Sequence, residues 1–192
     1  MSAIKQRRER ERAQRHQLIV TAARELAEAE GWEAVTTRRL AELVEYSQPV
    51  LYSHFSGKDA IVRAVAIDGF GDLAAHLRRA RLANPEPRQA LHAVCRAYLE
   101  FATDRPALYQ AMFVMPTDVK FAHAETPPPL RAGFDEFVSC FRPDNPRREL
   151  FAEVIWSALH GIATLSGSGR IPADGQEERL EFLITQLADT PA

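Results

Sequence analysis

The chain has 192 residues, 46% of them hydrophobic and 26% charged, with a formal net charge of −2. That composition excludes a disordered polyelectrolyte and leaves room for one large domain, or for a small domain joined to a larger one. The near-neutral total hides an asymmetry. In the first sixteen residues Lys5, Arg7, Arg8, Arg10, Arg12 and Arg15 face only Glu9 and Glu11, which points either to a polyanion at this end or to a solvated basic helix face.

Helical periodicity dominates from the start. Leu18, Ile19, Ala22, Ala23, Leu26 and Ala27 recur at three- and four-residue spacing, and Gly31 supplies a stop. Whether the basic residues before them extend this helix or form a groove-contacting tail is open at this level. Trp32 and Val35 follow as apolar anchors. Thr36 is placed to cap a helix carrying Leu40, Ala41, Leu43 and Val44. Ser47 is the next cap candidate, with Pro49 in the first turn, where its missing N–H costs nothing. Ser56 opens "SGKD", a capping-box-like start in which Asp59 replaces Glu or Gln. A long helix through Ile61, Val65, Leu73 and Leu77 follows, with Gly69 and Gly71 as an expected weak point.

"NPEP" at 84–87 breaks that helix. Leu91, Val94, Tyr98, Leu99 and Ala102 mark another, and Pro106 opens a short one containing Leu108, Met112 and Phe113. Residues 115–129 read as a loop ending in three prolines. Helices around 130–141, 147–165 and 176–187 complete the pattern. The expectation is an all-α chain of about nine helices.

Cys95 and Cys140 stand far apart without a CxxC, so two reduced, partly buried thiols are expected rather than a disulfide or metal framework. No apolar core follows the basic start, and no run approaches about 18 uninterrupted apolar residues. Neither a signal peptide nor a membrane span is expected; the chain reads as soluble and cytoplasmic, with no membrane partner.

Residues 37–44, a short turn and residues 48–55 have the length and capping of a helix-turn-helix, whose second helix enters the major groove of DNA. Thr36 and Thr37 stand at the start of the unit, and Arg38 can reach a guanine. Gln48 can pair its amide with an adenine edge, while Pro49 and Val50 can meet a thymine methyl. Tyr52, His54 and Lys58 fall around the far end, suited to phosphate oxygens, which fix register without reading bases. Each has a plainer reading. Tyr52 can seal the three-helix core, His54 can be a surface histidine, and Lys58 or Arg39 can be simply solvated.

The spaced residues T-T-R-R-L-A…Q-P-V-L-Y-S-H-F…K, within about residues 14–67, resemble the DNA-binding signature of TetR-family transcriptional regulators. "AYLEFATDRPALYQAMF" at 97–113 and "WSALHGIATL" at 156–165 are similar to a C-terminal subgroup of that family with a Trp…His-Gly signature. One departure stands in the turn, which usually holds Gly and here holds Glu45. A non-Gly residue at positive φ costs on the order of 1 kcal/mol, so either the turn differs in geometry or the fold carries the cost.

Trp156 and His160 lie four apart and share a helix face. Packing, with Gly161 allowing a close helix approach, is favoured over His160 as a base or ligand. His76, His92 and His123 lack metal spacing, so neither metal nor cofactor is expected. There is no GxSxG, P-loop or GxGxxG, and "GSG" at 167–169 has no phosphate motif around it. An enzyme is therefore a lesser alternative. An architectural DNA-binding protein that senses no ligand is another, for which two-thirds of the chain would be surplus.

The resemblance implies a DNA-binding domain over 1–60 and a helical effector-binding and dimerisation domain over 61–192. It implies a homodimer joined by the last two long helices, about 147–165 and 176–187. Two recognition helices roughly 34–36 Å apart would then meet a near-palindromic operator. Repression would be relieved by a small-molecule inducer, through reciprocal negative coupling carried by the helix that begins near Ser56. Tyr98, Phe101, Leu108, Met112, Phe113, Phe134 and Phe137 are the pocket candidates, each with plain core as its alternative. Their aromatic character points to a hydrophobic or flat effector.

Overall fold

The computed structural model describes residues 3–117 and 126–188. Among the described residues there are nine α-helices, one 3-10 turn and no strand. They divide into two compact units. One runs to Ile67 and takes in the segment that starts at Ala107; the other holds Asp68–Pro106 and the described residues from 126 on.

In the first unit, α1 (Ala3–Glu30) buries Ile19, Val20, Ala23, Leu26 and Ala27 along one stripe. The basic start belongs to this helix, so of the two alternatives it is the helical extension. Gly31 stops α1 with φ 82°, and its N–H reaches the Ala27 carbonyl at 2.8 Å. A 3-10 turn at Trp32–Ala34 follows. The next helix, α2 (Thr37–Leu43), is capped as expected: the Thr36 hydroxyl accepts from the Arg39 N–H at 3.2 Å. Then comes α3 (Gln48–His54), where Ser47 holds the cap position without a side-chain cap bond.

Between α2 and α3 the Tyr46 N–H returns to the Ala41 carbonyl at 2.9 Å and the Glu45 N–H to the Glu42 carbonyl at 3.3 Å. This paired closure is the Schellman motif, which places its pivot residue in the left-handed region. The pivot is Glu45, at φ 55°. The turn therefore keeps the geometry that glycine favours, and the fold carries the cost.

The fourth helix, α4 (Lys58–Leu82), runs unbroken through Gly69 and Gly71. The Gly57 carbonyl accepts its first bond, so the helix starts one residue beyond the Ser56 cap expected from sequence. The boundary between the units falls inside α4.

A short helix, α6 (Pro106–Phe113), packs with the first unit from Ala107 on. Two anchors explain its place. The Trp32 indole N–H donates to the Ala107 carbonyl at 2.8 Å. The Glu28 carboxylate accepts from the Ala107 and Leu108 N–H groups at 3.1 and 2.9 Å.

The second unit is built on α5 (Pro87–Asp104), whose buried face includes Leu91, Val94, Cys95, Tyr98, Leu99 and Phe101. It packs against α7 (Pro128–Val138), α8 (Arg148–Gly167) and α9 (Gln176–Ala188). At its centre the Tyr98 and Phe137 rings meet edge to face at 5.9 Å, and Phe134 meets Trp156 at 6.5 Å. The Trp156 indole donates to the Tyr98 hydroxyl at 3.2 Å, so Trp156 does packing work. Burial pushes the Cys140 thiol up to about 12 and that of Cys95 higher still, leaving both unreactive.

By length and composition α8 is apolar enough to cross a membrane, although Glu149, Glu153, Ser157, His160 and Thr164 interrupt its apolar residues. Leu150, Val154 and Leu165 on α8, with Phe182 on α9, stay between 40 and 69% exposed. Gly161 lies on the same outward face of α8 as Leu150 and Val154, and a Cβ added there would meet nothing within 4 Å. The close approach expected of Gly161 is thus not made within the described chain.

Candidate nucleic-acid interface

Leu51 and Phe55, one turn apart, are buried and fix α3 against its unit. That orientation turns Gln48, Pro49 and Tyr52 outward, with Val50 half-buried beside them. Tyr52 is 53% exposed, and its hydroxyl lies 3.3 Å from the Thr37 hydroxyl. The structure thus joins the start of α2 to the exposed face of α3. Arg38 is exposed and rests on Glu42, its Nε 3.1 Å from the carboxylate. An exposed i,i+4 pair of this kind is worth about 0.3–0.5 kcal/mol, so little holds Arg38 back from a base or phosphate. Thr36 spends its hydroxyl on the α2 cap.

Two expected phosphate contacts have internal partners as well. Lys58 is half-buried, and its ammonium donates to the Trp32 carbonyl at 2.5 Å. His54 is half-buried beside α1, with its ring 6.5 Å from that of His16. Its Nδ1 is buried without a hydrogen-bond partner. Burial, and then the positive charge of Arg12, His16 and Arg15, hold its pKa below the usual histidine value. It is not a plain surface histidine. Arg39 is bonded through Nη1 and Nη2 to the Glu30 carboxylate, so it is not simply solvated.

Arg12, one of the basic residues at the start of the chain, also lies beside α3. From α1 its guanidinium reaches the Ser53 carbonyl near the end of α3, at 3.5 Å. With Arg15 and His16 at i+3 and i+4 it forms a basic helical edge, a spacing that was visible once the basic start was known to be helical.

The seven pocket candidates fall in both units. Leu108, Met112 and Phe113 are on α6 in the first unit, the first two of them buried. Tyr98, Phe101, Phe134 and Phe137 belong to the second unit, where Tyr98 and Phe137 are the packed aromatic centre. Phe101 carries the Arg105 guanidinium 5.0 Å above its ring. Local apolar periodicity cannot distinguish a cavity wall from filled core.

Residues 19–65 match the bacterial regulatory proteins of the tetR family, and residues 91–187, about half of the chain, match the tetracyclin repressor-like C-terminal domain. The chain belongs to the TetR family. It is 28% identical over 154 residues to an uncharacterised HTH-type transcriptional regulator of Mycobacterium tuberculosis, covering 79% of this chain and 69% of that one. Over 48 residues it is 46% identical to the class C tetracycline repressor protein of Escherichia coli, covering 25% of this chain and 22% of the repressor. A TetR transcriptional regulator from Rhodococcus sp. RHA1 shares the fold with a TM-score of 0.69 at 19% identity, covering 95% of this chain and all of that one. This TetR-family chain is a DNA-binding transcriptional regulator, and its family is one of regulators rather than enzymes.

Proposed function

We propose that this TetR-family chain is a ligand-responsive repressor that binds a near-palindromic operator as a homodimer and leaves it when a small molecule occupies the second unit. The observation that carries the DNA-reading part is α3. Its buried Leu51 and Phe55 fix the helix while Gln48, Pro49 and Tyr52 face outward, the arrangement a groove-reading helix needs. Residues up to about 60, with α6, form the reading part; the rest is for sensing and dimerisation.

The outward face of α8 supports the homodimer. Leu150, Val154 and Leu165 surround Ser157 and Gly161 there, and Phe182 of α9 is 69% exposed. A face that is apolar at its edges and small at its centre suits a self-complementary helix pair, since an isologous contact brings one patch onto its own copy. Because α4 carries residues of both units, a shift along it is the simplest route from effector to reading helix. The two binding events then oppose each other by the same factor. The reading places the protein in the cytoplasm, with its operator.

The test is selection of genomic fragments by the purified protein, followed by footprinting of the best fragment. One protected near-palindromic site is expected. The variant Gln48→Ala should lose about 1–3 kcal/mol at particular base positions. Salt-sensitive binding with no preferred site would replace the regulator with an architectural protein.

A further inference from the structure

A cleft of about 520 Å³ lies between α4 and α5 in the second unit, inside the roughly 300–1,000 Å³ range of small-molecule sites. His76, Arg79 and Asn84 line one side, and His92, Arg96 and Glu100 the other. With Gln89 also in the lining, two guanidiniums, two imidazoles and two amides against one carboxylate make it rich in donors, quite unlike a pocket for a flat apolar ligand.

Two features show what such a cleft would hold. Arg79 has no carboxylate partner among the described residues; its guanidinium rests on the Ala75 carbonyl at 3.3 Å and beside the His76 ring nitrogen at 3.4 Å. A planar fork of five donors left in this state suits carboxylate or phosphoryl oxygens. Opposite it, His92 and Arg96 converge on a single oxygen, Oε1 of Glu177 from α9, at 2.9 and 2.7 Å. Two donors that line the cleft thus already hold one carboxylate oxygen, supplied by the protein itself.

We propose that this cleft is the effector site, and that it takes a small anion bearing two or more carboxylate or phosphoryl groups, held by Arg79 and Arg96. The proposal rests on the ligand-responsive reading given above. An anion that draws His92 and Arg96 away from Glu177 releases one of the ties between α5 and α9. Arg88 provides others, to Glu181 at 2.7 Å and Thr185 at 2.9 Å. Since α9 also presents exposed Phe182, a change in how α5 holds it reaches the face assigned to the second copy. Glu177 acts as an internal competitor for the incoming anion.

The experiment is isothermal titration of the full chain with citrate, as the carboxylate probe, and pyrophosphate, as the phosphoryl probe, at ionic strength held constant with chloride. Saturable binding of at least one is expected, and which one binds decides between the two anion types. Arg79→Gln should weaken it at least tenfold, and Glu177→Gln should strengthen it severalfold by removing the competitor. Arg142→Gln, at an exposed arginine of the same unit outside the cleft, should leave it unchanged, and circular dichroism checks that each variant is folded. Failure of both probes to bind, or equal losses in Arg79→Gln and Arg142→Gln, would overturn the site. Saturable binding with no release of a footprinted operator would overturn its effector role. A protein that binds the anion yet protects no DNA would instead sink the regulator reading.

Discussion

The first amides of α6 have an unusual acceptor, and removing it has a calculable cost. Pro106 opens the helix without an N–H, so the first groups that need a partner are those of Ala107 and Leu108. Glu28 supplies it from α1, 79 and 80 residues away in sequence, accepting both at 3.1 and 2.9 Å in a part-buried setting. Glu28→Ala strands the two amides. Loss of a helix cap costs about 0.5–2 kcal/mol, and a hydrogen bond to a charged group contributes about 1.5–3 kcal/mol. With water able to reach a part-buried site, the expected loss is about 2–3 kcal/mol, or about 5–10 °C in melting temperature for a chain of this size. Urea unfolding followed by circular dichroism should show a lower midpoint with an unchanged slope. Glu28→Gln keeps one acceptor oxygen and should lose about half as much. A change below about 0.5 kcal/mol in Glu28→Ala would refute the clamp, because water would then serve these amides equally well.

His54 is kept neutral in the folded chain by burial and by Arg12, His16 and Arg15. The unfolded chain therefore binds the extra proton first, and stability should fall as pH drops from about 6.5 through the lowered folded value. Urea midpoints across that window should fall less steeply in His54→Gln, and equal slopes would count against the assignment. A phosphate at His54 acts in the opposite sense, so operator affinity should rise as pH falls there, and rise less in the variant. Lys58→Ala should weaken binding to all DNA alike and reduce the salt slope by about one unit. It should also cost about 1 kcal/mol of stability through the lost bond to the Trp32 carbonyl. An unchanged salt slope would mean that the ammonium stays on Trp32 in the complex. Glu45→Gly relieves the left-handed pivot, which costs about 1–2 kcal/mol, less the entropy that glycine adds to the unfolded chain. A net gain of about 0.5–1 kcal/mol is expected, and a fall in the urea midpoint would show that the pivot carries no strain.

Features set by near neighbours were legible in the sequence. Thr36 caps α2, Gly31 ends α1, and α3 turns Gln48 outward, because each depends on residues three or four positions away. The cost at Glu45 was also foreseeable, since the spacing of the two short helices already demanded a tight turn. What escaped depended on distant partners. Nothing near Ala107 announces that Glu28 will cap it. Nothing near Lys58 announces the Trp32 carbonyl. Buried aromatic residues such as Tyr98 and Phe137 carry the same periodic signal whether they surround a space or fill one. The polar cleft leaves no apolar pattern, so a search for apolar residues at helical spacing passes over His76, Arg79 and Arg96.

The assignment of α6 to the first unit bears on how the protein is made. Chains emerge from the ribosome N-terminus first, at roughly 5–20 residues per second. When Ile67 has emerged, the anchoring groups Glu28 and Trp32 are present, but Ala107, Leu108 and Met112 are not. Residues 68–106 must be synthesised first, a wait of about 2–8 seconds. During that wait the nascent DNA-reading unit carries a vacant seat for α6. The first unit is thus complete only once α5, a helix of the second, has also been synthesised.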